Sequence, residues 1–209
     1  MDAYNLAREK SVAPIDVPQI LSASGGYALP FGPGRRWLST GLPGKIIGGW
    51  TLTGIQSYRS GNALQITTGG LRTDAIFNGT IRPDLITGVP MVVDQGGPVA
   101  FGTGTQYLSP AAFAQVPKTA NNVPLRLGTV GRYLPNVRGL RQVAENFGIM
   151  KRFAFTENKA VEIRGDFSNA FNRAGRGDPV TDITNPLFGK ITGPAYGPRT
   201  IQLEARVSF

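Results

Sequence analysis

At 209 residues and 41% hydrophobic content the chain is long enough to bury a sizeable core, and with a mean hydropathy of -0.09 it has no run near the ~20 apolar residues of a membrane-spanning helix. It has neither cysteine nor histidine, which excludes disulfide frameworks, thiolate metal sites, cysteine nucleophiles and histidine-based triads. The net charge of +9 is scattered, with adjacent basic pairs only at Arg35-Arg36 and Lys151-Arg152, so no nucleic-acid partner is expected. Near-neutral hydropathy leaves a membrane β-barrel open, because its strands alternate and average out.

The N-terminal "MDAYNLAREKSVAPIDVP" has no apolar stretch and carries acids early, so it does not read as a signal peptide. "QILSASGGYALP" reads as a strand, with Leu21, Ala23, Tyr27 and Leu29 on one face and Ser22 and Ser24 on the other. "FGPGRRWLSTGLPGK" follows as a connection rich in Gly, Pro and basic residues. "GGWTLTGIQSYRSG" gives a second strand, with "NALQITT" as its extension.

Between about residues 69 and 139 the periodicity fails. "SPAAFAQ" predicts a short helix with Ser109 as N-cap and Pro110 at its first position. A connection this long would be unusual in a compact soluble domain and ordinary on one side of an outer-membrane barrel.

Alternation returns at "NFGIMKRFAF", with Phe147, Ile149, Phe153 and Phe155 on one face and Lys151 as the exception. "TENK" predicts a tight turn. Beyond it Val161, Ile163, Gly165, Phe167 and Phe171 share one face, while Glu162, Arg164, Asp166 and Ser168 share the other. A second loop over residues 172–198 leads to "RTIQLEARVSF", where Ile201, Leu203, Ala205, Val207 and Phe209 alternate with Thr200, Gln202, Glu204, Arg206 and Ser208. The fold class expected is all-β and antiparallel, with about five strands of bilayer-crossing length and long loops.

Opposite charges at Glu162, Arg164, Asp166, Glu204 and Arg206 suit a ladder facing a watery lumen, and also a solvated sandwich face. Tyr27, Trp50, Tyr58, Phe155, Phe171 and Phe209 fall near strand ends, as interfacial girdles require. Alternation alone is met equally by a membrane barrel and by a soluble β-sandwich binding or adhesion module.

Chemistry-bearing motifs are weak. "FGTGTQY" has Tyr107 where a dinucleotide loop needs its third glycine. "DAIFNG" places Asp74, Asn78 and Gly79 at calcium-loop positions, but Ile76 and Leu85 spoil two others. Glu162 and Asp166 flank Arg164, which suits ion pairing better than a glycosidase pair. No enzyme activity, metal or cofactor is expected.

Eight stretches, in order, resemble the C-terminal end of a TonB-dependent outer-membrane receptor of the Oar-like type common in acidobacteria. They are "YALPFGPGRRWLS", "IIGGWTLTGIQSYRSGNALQIT", "RPDL", "YLSPAAFAQVP", "VRGLRQVAENFGIMKRF", "VEIRGDFSNAFN", "FGKITG" and "PRTIQLEARVSF". The resemblance implies an outer-membrane location and strands in contact with lipid. It implies that Phe209, with Val207 and Leu203, forms the C-terminal signal read by the barrel-assembly machinery. The "TENK" turn and the residue 32–45 connection would be periplasmic, and the two long loops extracellular. The export signal, TonB-contacting segment and plug of that family have no counterpart in these 209 residues. About five strands are also fewer than the 8 of the smallest barrels. The expectation is therefore a fragment that pairs with the remainder of a receptor barrel.

Overall fold

A computed structural model describes residues 5–71, 80–93, 104–156 and 158–209. In chain order the elements are β1 (Ile20–Ala28), α1 (Gly41–Ile47), β2 (Trp50–Arg59), β3 (Ala63–Leu64), β4 (Asp84–Leu85), β5 (Thr105–Gln106), β6 (Phe113–Ala114), β7 (Leu134–Arg138), β8 (Gln142–Ala154), β9 (Ala160–Ser168), β10 (Lys190–Ile191) and β11 (Thr200–Ser208). One-turn 3-10 helices occur at Leu6–Glu9 and Pro110–Ala112. The chain divides into two compact units.

One unit comprises Ile20–Arg59, Val143–Ala174 and Gly197–Phe209. It is a five-stranded sheet in the order β1-β2-β8-β9-β11. The β1–β2, β8–β9 and β9–β11 pairs are antiparallel. All five long strands expected from alternation are present. The sheet is open: among the described residues β1 and β11 each have one neighbour. Phe155 and Thr156 amides both donate to the Lys159 carbonyl, closing the β8–β9 turn, of which Glu157 lies outside the described residues.

Two glycine positions on the apolar face would leave gaps, and neighbours fill them. A Cβ at Gly54 would lie 3.4 Å from the Phe147 ring, which covers that position. At Gly165 the flanking Ile149 and Leu203 methyls close over the strand at 3.4 Å. Aromatic and branched side chains thus keep the apolar band continuous where the backbone is bare.

Two local expectations need correction. The "NALQITT" stretch does not prolong β2: the chain breaks after Arg59, and Ala63–Leu64 pairs with β7 instead. "SPAAFAQ" forms only one 3-10 turn, where the Ser109 side chain makes no capping bond and Phe113 already starts a strand. The residue 32–45 connection, read from the sequence only as rich in Gly, Pro and basic residues, runs into α1. Glycine and proline within "GLPGKII" mask this helix in the sequence. Gly44 is needed there, since a Cβ would come 2.1 Å from the Leu38 carbonyl oxygen.

The other unit comprises Met1–Gln19, Ser60–Gln142 and Gly175–Tyr196. Its strands are short two-stranded pieces, β10 with β5, β3 with β7 and β4 with β6, as the lost periodicity implied. It nonetheless has its own core: Ile66, Leu108, Val137 and Ile191 have no solvent exposure. Phe113 and Phe188 pack edge to face within it. The N-terminal segment is fastened by Glu9 to Arg82 and by Asp16 to Arg138, each at 2.6 Å. The two long connections and the N-terminal segment thus form one packed body.

Candidate functional site

Register fixes the faces, because directly opposed residues in an antiparallel pair share one. On the polar face Asp166 lies between Gly148 and Gln202, Arg164 between Met150 and Glu204, and Glu162 between Arg152 and Arg206. All five residues expected to face the lumen, Glu162, Arg164, Asp166, Glu204 and Arg206, are therefore together on one face. Charges alternate along and across this patch, so Glu162 and Glu204 each oppose an arginine. Arg164 Nε also pairs with Asp166 Oδ2 at 2.8 Å along the strand. Gly148 lets Thr53 and Asp166 approach over β8: a Cβ there would be 2.5 Å from Thr53 Oγ1. Three acids and three arginines (Arg152 joining Arg164 and Arg206) leave the patch near neutral, suited to cross-strand pairing rather than to a field of one sign.

The opposite face carries Phe147, Ile149 and Phe153 on β8, Val161, Ile163 and Phe167 on β9, and Ile201, Leu203 and Val207 on β11. Phe167 and Glu162 are on different faces, as parity demands. Phe147, Ile149, Phe153, Val161 and Phe167 are half-buried, whereas Ile163, Ile201, Leu203 and Val207 are exposed, Leu203 at 79% and Val207 at 65%. A sandwich strand would bury them. Phe209 follows the last strand residue on the same parity and is 96% exposed. Ser208 opposes Ala160, so this aromatic end lies at the edge of the sheet that carries the β8–β9 turn.

The aromatic residues sort by end. Tyr27, Trp50, Phe155 and Phe209 lie at the turn edge, whereas Tyr58 and Phe171 lie at the edge where the long connections leave. Phe171 falls beyond β9, but its ring still packs edge to face on Phe147, 5.6 Å between centroids.

Sequence reasoning missed two polar attachments on the apolar face. Lys151 is almost fully buried, and its Nζ donates to the carbonyls of Lys45 at 2.6 Å and Ile46 at 2.7 Å. The electronegative end of α1, with the Trp50 and Phe153 rings 5.6 and 4.6 Å away, offsets the cost of burying this cation. At the other edge Glu145 is buried and accepts from Tyr58 Oη at 2.8 Å and from the Arg173 guanidinium. Glu145 and Lys151 stand on one row of β8, about 20 Å apart along the strand at ~3.3 Å per residue. The signal was present in the sequence: Lys151 breaks the alternation, and Glu145 has the parity of Phe147.

The packed loop unit holds an open groove of about 590 Å³ lined by Gln106, Gln115, Thr184, Asn185 and Lys190 with the Phe113 and Phe188 rings. Nearby, Asp182 accepts hydrogen bonds from the amides of Gly69 and Thr184 and from the Thr184 hydroxyl. Burial alone would raise its pKa, but these donors outweigh it and hold the carboxyl below its ordinary value of 3.8. Asp74, Asn78 and Gly79, and Gly102 of the glycine-rich stretch, lie outside the described residues. Among the described residues no cluster of acids could hold a metal.

No curated protein and no solved structure matches the chain. Residues 1–202 match the family model described as an outer membrane beta barrel domain, a span that takes in β1, β2, β8, β9, the packed connections and the first three residues of β11. An antiparallel sheet with two chemically opposed faces is what such a domain requires. The chain is therefore a member of the outer membrane beta barrel domain family, located in the outer membrane.

Proposed function

We propose that the chain supplies C-terminal barrel strands of a TonB-dependent receptor that takes up a large nutrient such as a glycan or peptide. The observation that carries this reading is the separation of faces in the β9–β11 register, with the apolar side chains of β11 exposed. The apolar face meets lipid, and the Glu162–Arg164–Asp166–Glu204–Arg206 ladder faces the lumen. Phe209, with Val207 and Leu203, presents the terminal strand to the barrel-assembly machinery. The backbone edges of β1 and β11 pair with the remaining strands of the receptor, since each unsatisfied group in lipid costs several kcal/mol. Both long connections leave the same edge of the sheet, and their packed unit supports an extracellular nutrient-contacting body. Its groove combines amide side chains with two aromatic rings, a chemistry suited to polar polymers. The chain has no catalytic role in this scheme.

Energised uptake tests the assignment. Cells carrying the receptor should accumulate labelled oligomers too large for porins, and should lose that uptake when the proton gradient collapses. Uptake that persists without the gradient would make the protein a passive pore.

A further inference from the structure

The residue 31–49 connection has more structure and more exposed apolar surface than a turn needs. Its first half is a fixed loop, not a slack one. The Gly32 amide donates to the Trp37 carbonyl, the Trp37 amide donates to the Pro30 carbonyl, and the Phe31 and Trp37 rings lie 5.6 Å apart. Its second half is α1, held by Lys151 and by Trp50 Nε1, which donates to the Ile46 carbonyl at 3.3 Å. Gly44 and Gly48 are its buried contacts. The side chains that remain outside are Trp37, Leu38, Leu42, Ile46 and Ile47, with Leu42 73% and Ile46 67% exposed. Leu42 and Ile46 are one helical turn apart and form a stripe. Arg35, Arg36 and Lys45 are exposed among them, and residues 31–49 contain no acid. The Arg36 guanidinium sits over the Trp37 ring at 5.4 Å.

We infer that residues 31–49 form an interfacial anchor that seats in the headgroup region beside the sheet and binds anionic phospholipid headgroups. The inference rests on the apolar sheet face meeting lipid. Continuity with that face selects lipid as the occupant: Lys151, which holds α1 and lies against the Trp50 and Phe153 rings, has the parity of Phe147 and Ile149. An apolar stripe bordered by cations, with an indole between them, matches the boundary between acyl chains and phosphodiesters. Net positive charge with no acid selects anionic over zwitterionic headgroups. The barrel would thereby gain a fixed depth at its turn edge, which long polar turns do not supply.

The two tryptophans of the chain, Trp37 and Trp50, both belong to this region. The difference between the native chain and a Trp37→Phe chain, which leaves the Trp50 bond to α1 intact, therefore reports on Trp37 alone. Reconstitute both in phosphatidylcholine vesicles with increasing phosphatidylglycerol, and compare quenching by aqueous iodide with quenching by nitroxides placed shallow or deep in the bilayer. The expected result is shallow-nitroxide quenching and iodide protection that saturate as phosphatidylglycerol rises. Replacing any one of Arg35, Arg36 and Lys45 by glutamine should raise the phosphatidylglycerol needed for half-saturation by up to roughly fivefold at low salt. Leu42→Ser with Ile46→Ser should restore iodide access; both positions are exposed, so the fold does not depend on them. A nitrobenzoxadiazole label on Leu203→Cys, in a chain without other cysteines, serves as the control for the sheet. Iodide access at Trp37 with lipid quenching at the Leu203 position would overturn the anchor and leave the spanning sheet intact. Iodide access at both would overturn the anchor together with the membrane-facing reading. Protection that follows protein density rather than anionic lipid would assign the patch to a second copy of the chain and overturn the lipid assignment.

Discussion

Replacing Leu203 with arginine separates a lipid-facing strand from a water-facing one. Leu203 is the fourth of the nine residues of β11, directly opposite Gly165. It is 79% exposed, so in water the change would remove little packing and shift stability by no more than about 0.5 kcal/mol. In a bilayer the same side chain stands well inside the apolar band. A guanidinium there costs about 2–4 kcal/mol at mid-depth and falls towards zero at the interfaces. Gln202→Arg is the matched control: the same chemistry one residue away, on the other face and opposite Asp166. It should change stability by no more than about 0.5 kcal/mol. The assay is urea unfolding of the chain reconstituted in phospholipid vesicles, read by tryptophan fluorescence and circular dichroism. The account predicts a large loss for Leu203→Arg and almost none for Gln202→Arg. Equal effects, or a larger effect for Gln202→Arg, would refute the assignment of faces.

Three further outcomes are expected. Ile66→Ala, at a position with no solvent exposure, should destabilise the packed loop unit by about 2–5 kcal/mol, seen as faster amide exchange there with the strand amides unaffected. Asp182 has a folded-state pKa below its ordinary 3.8, so its contribution is present above that value and is lost as pH falls through the lowered one; acid unfolding of the loop unit should become less steep in Asp182→Asn. Glu145→Gln removes the charge that Arg173 and Tyr58 share, and should lower the thermal midpoint and speed amide exchange at the β2 and β8 ends nearest Tyr58 and Glu145.

Alternation made the sheet legible because its two faces differ so sharply. In β9 and β11 apolar residues alternate with polar or charged ones, and the register then brings Glu162, Arg164, Asp166, Glu204 and Arg206 together without further information. β8 was harder to bound: its regular core was visible from Phe147, yet it begins at Gln142. Its first turns carry Glu145 on the apolar face, where an ionic residue argues against a strand until Tyr58 and Arg173 are brought to it. The core of the loop unit could not be read from any window. Ile66, Leu108, Val137 and Ile191 are positions drawn together from distant parts of the chain, so no local period records them. α1 was hidden for the opposite reason: its residues have poor helix propensity, and tertiary contacts through Gly44, Lys151 and Trp50 stabilise it.

The central claim is that β11 runs through a membrane with one face in lipid and the other in water. A cysteine scan of residues 200–208 tests it most directly, one labelled position at a time in a background without other cysteines. Each environment-sensitive label is challenged with a lipid-bound nitroxide and with aqueous iodide. The account predicts a period of two, with labels at 201, 203, 205 and 207 quenched from the lipid and labels at 202, 204 and 206 quenched from the water. Uniform iodide access along the strand, or lipid quenching on the 202, 204 and 206 side, would contradict it.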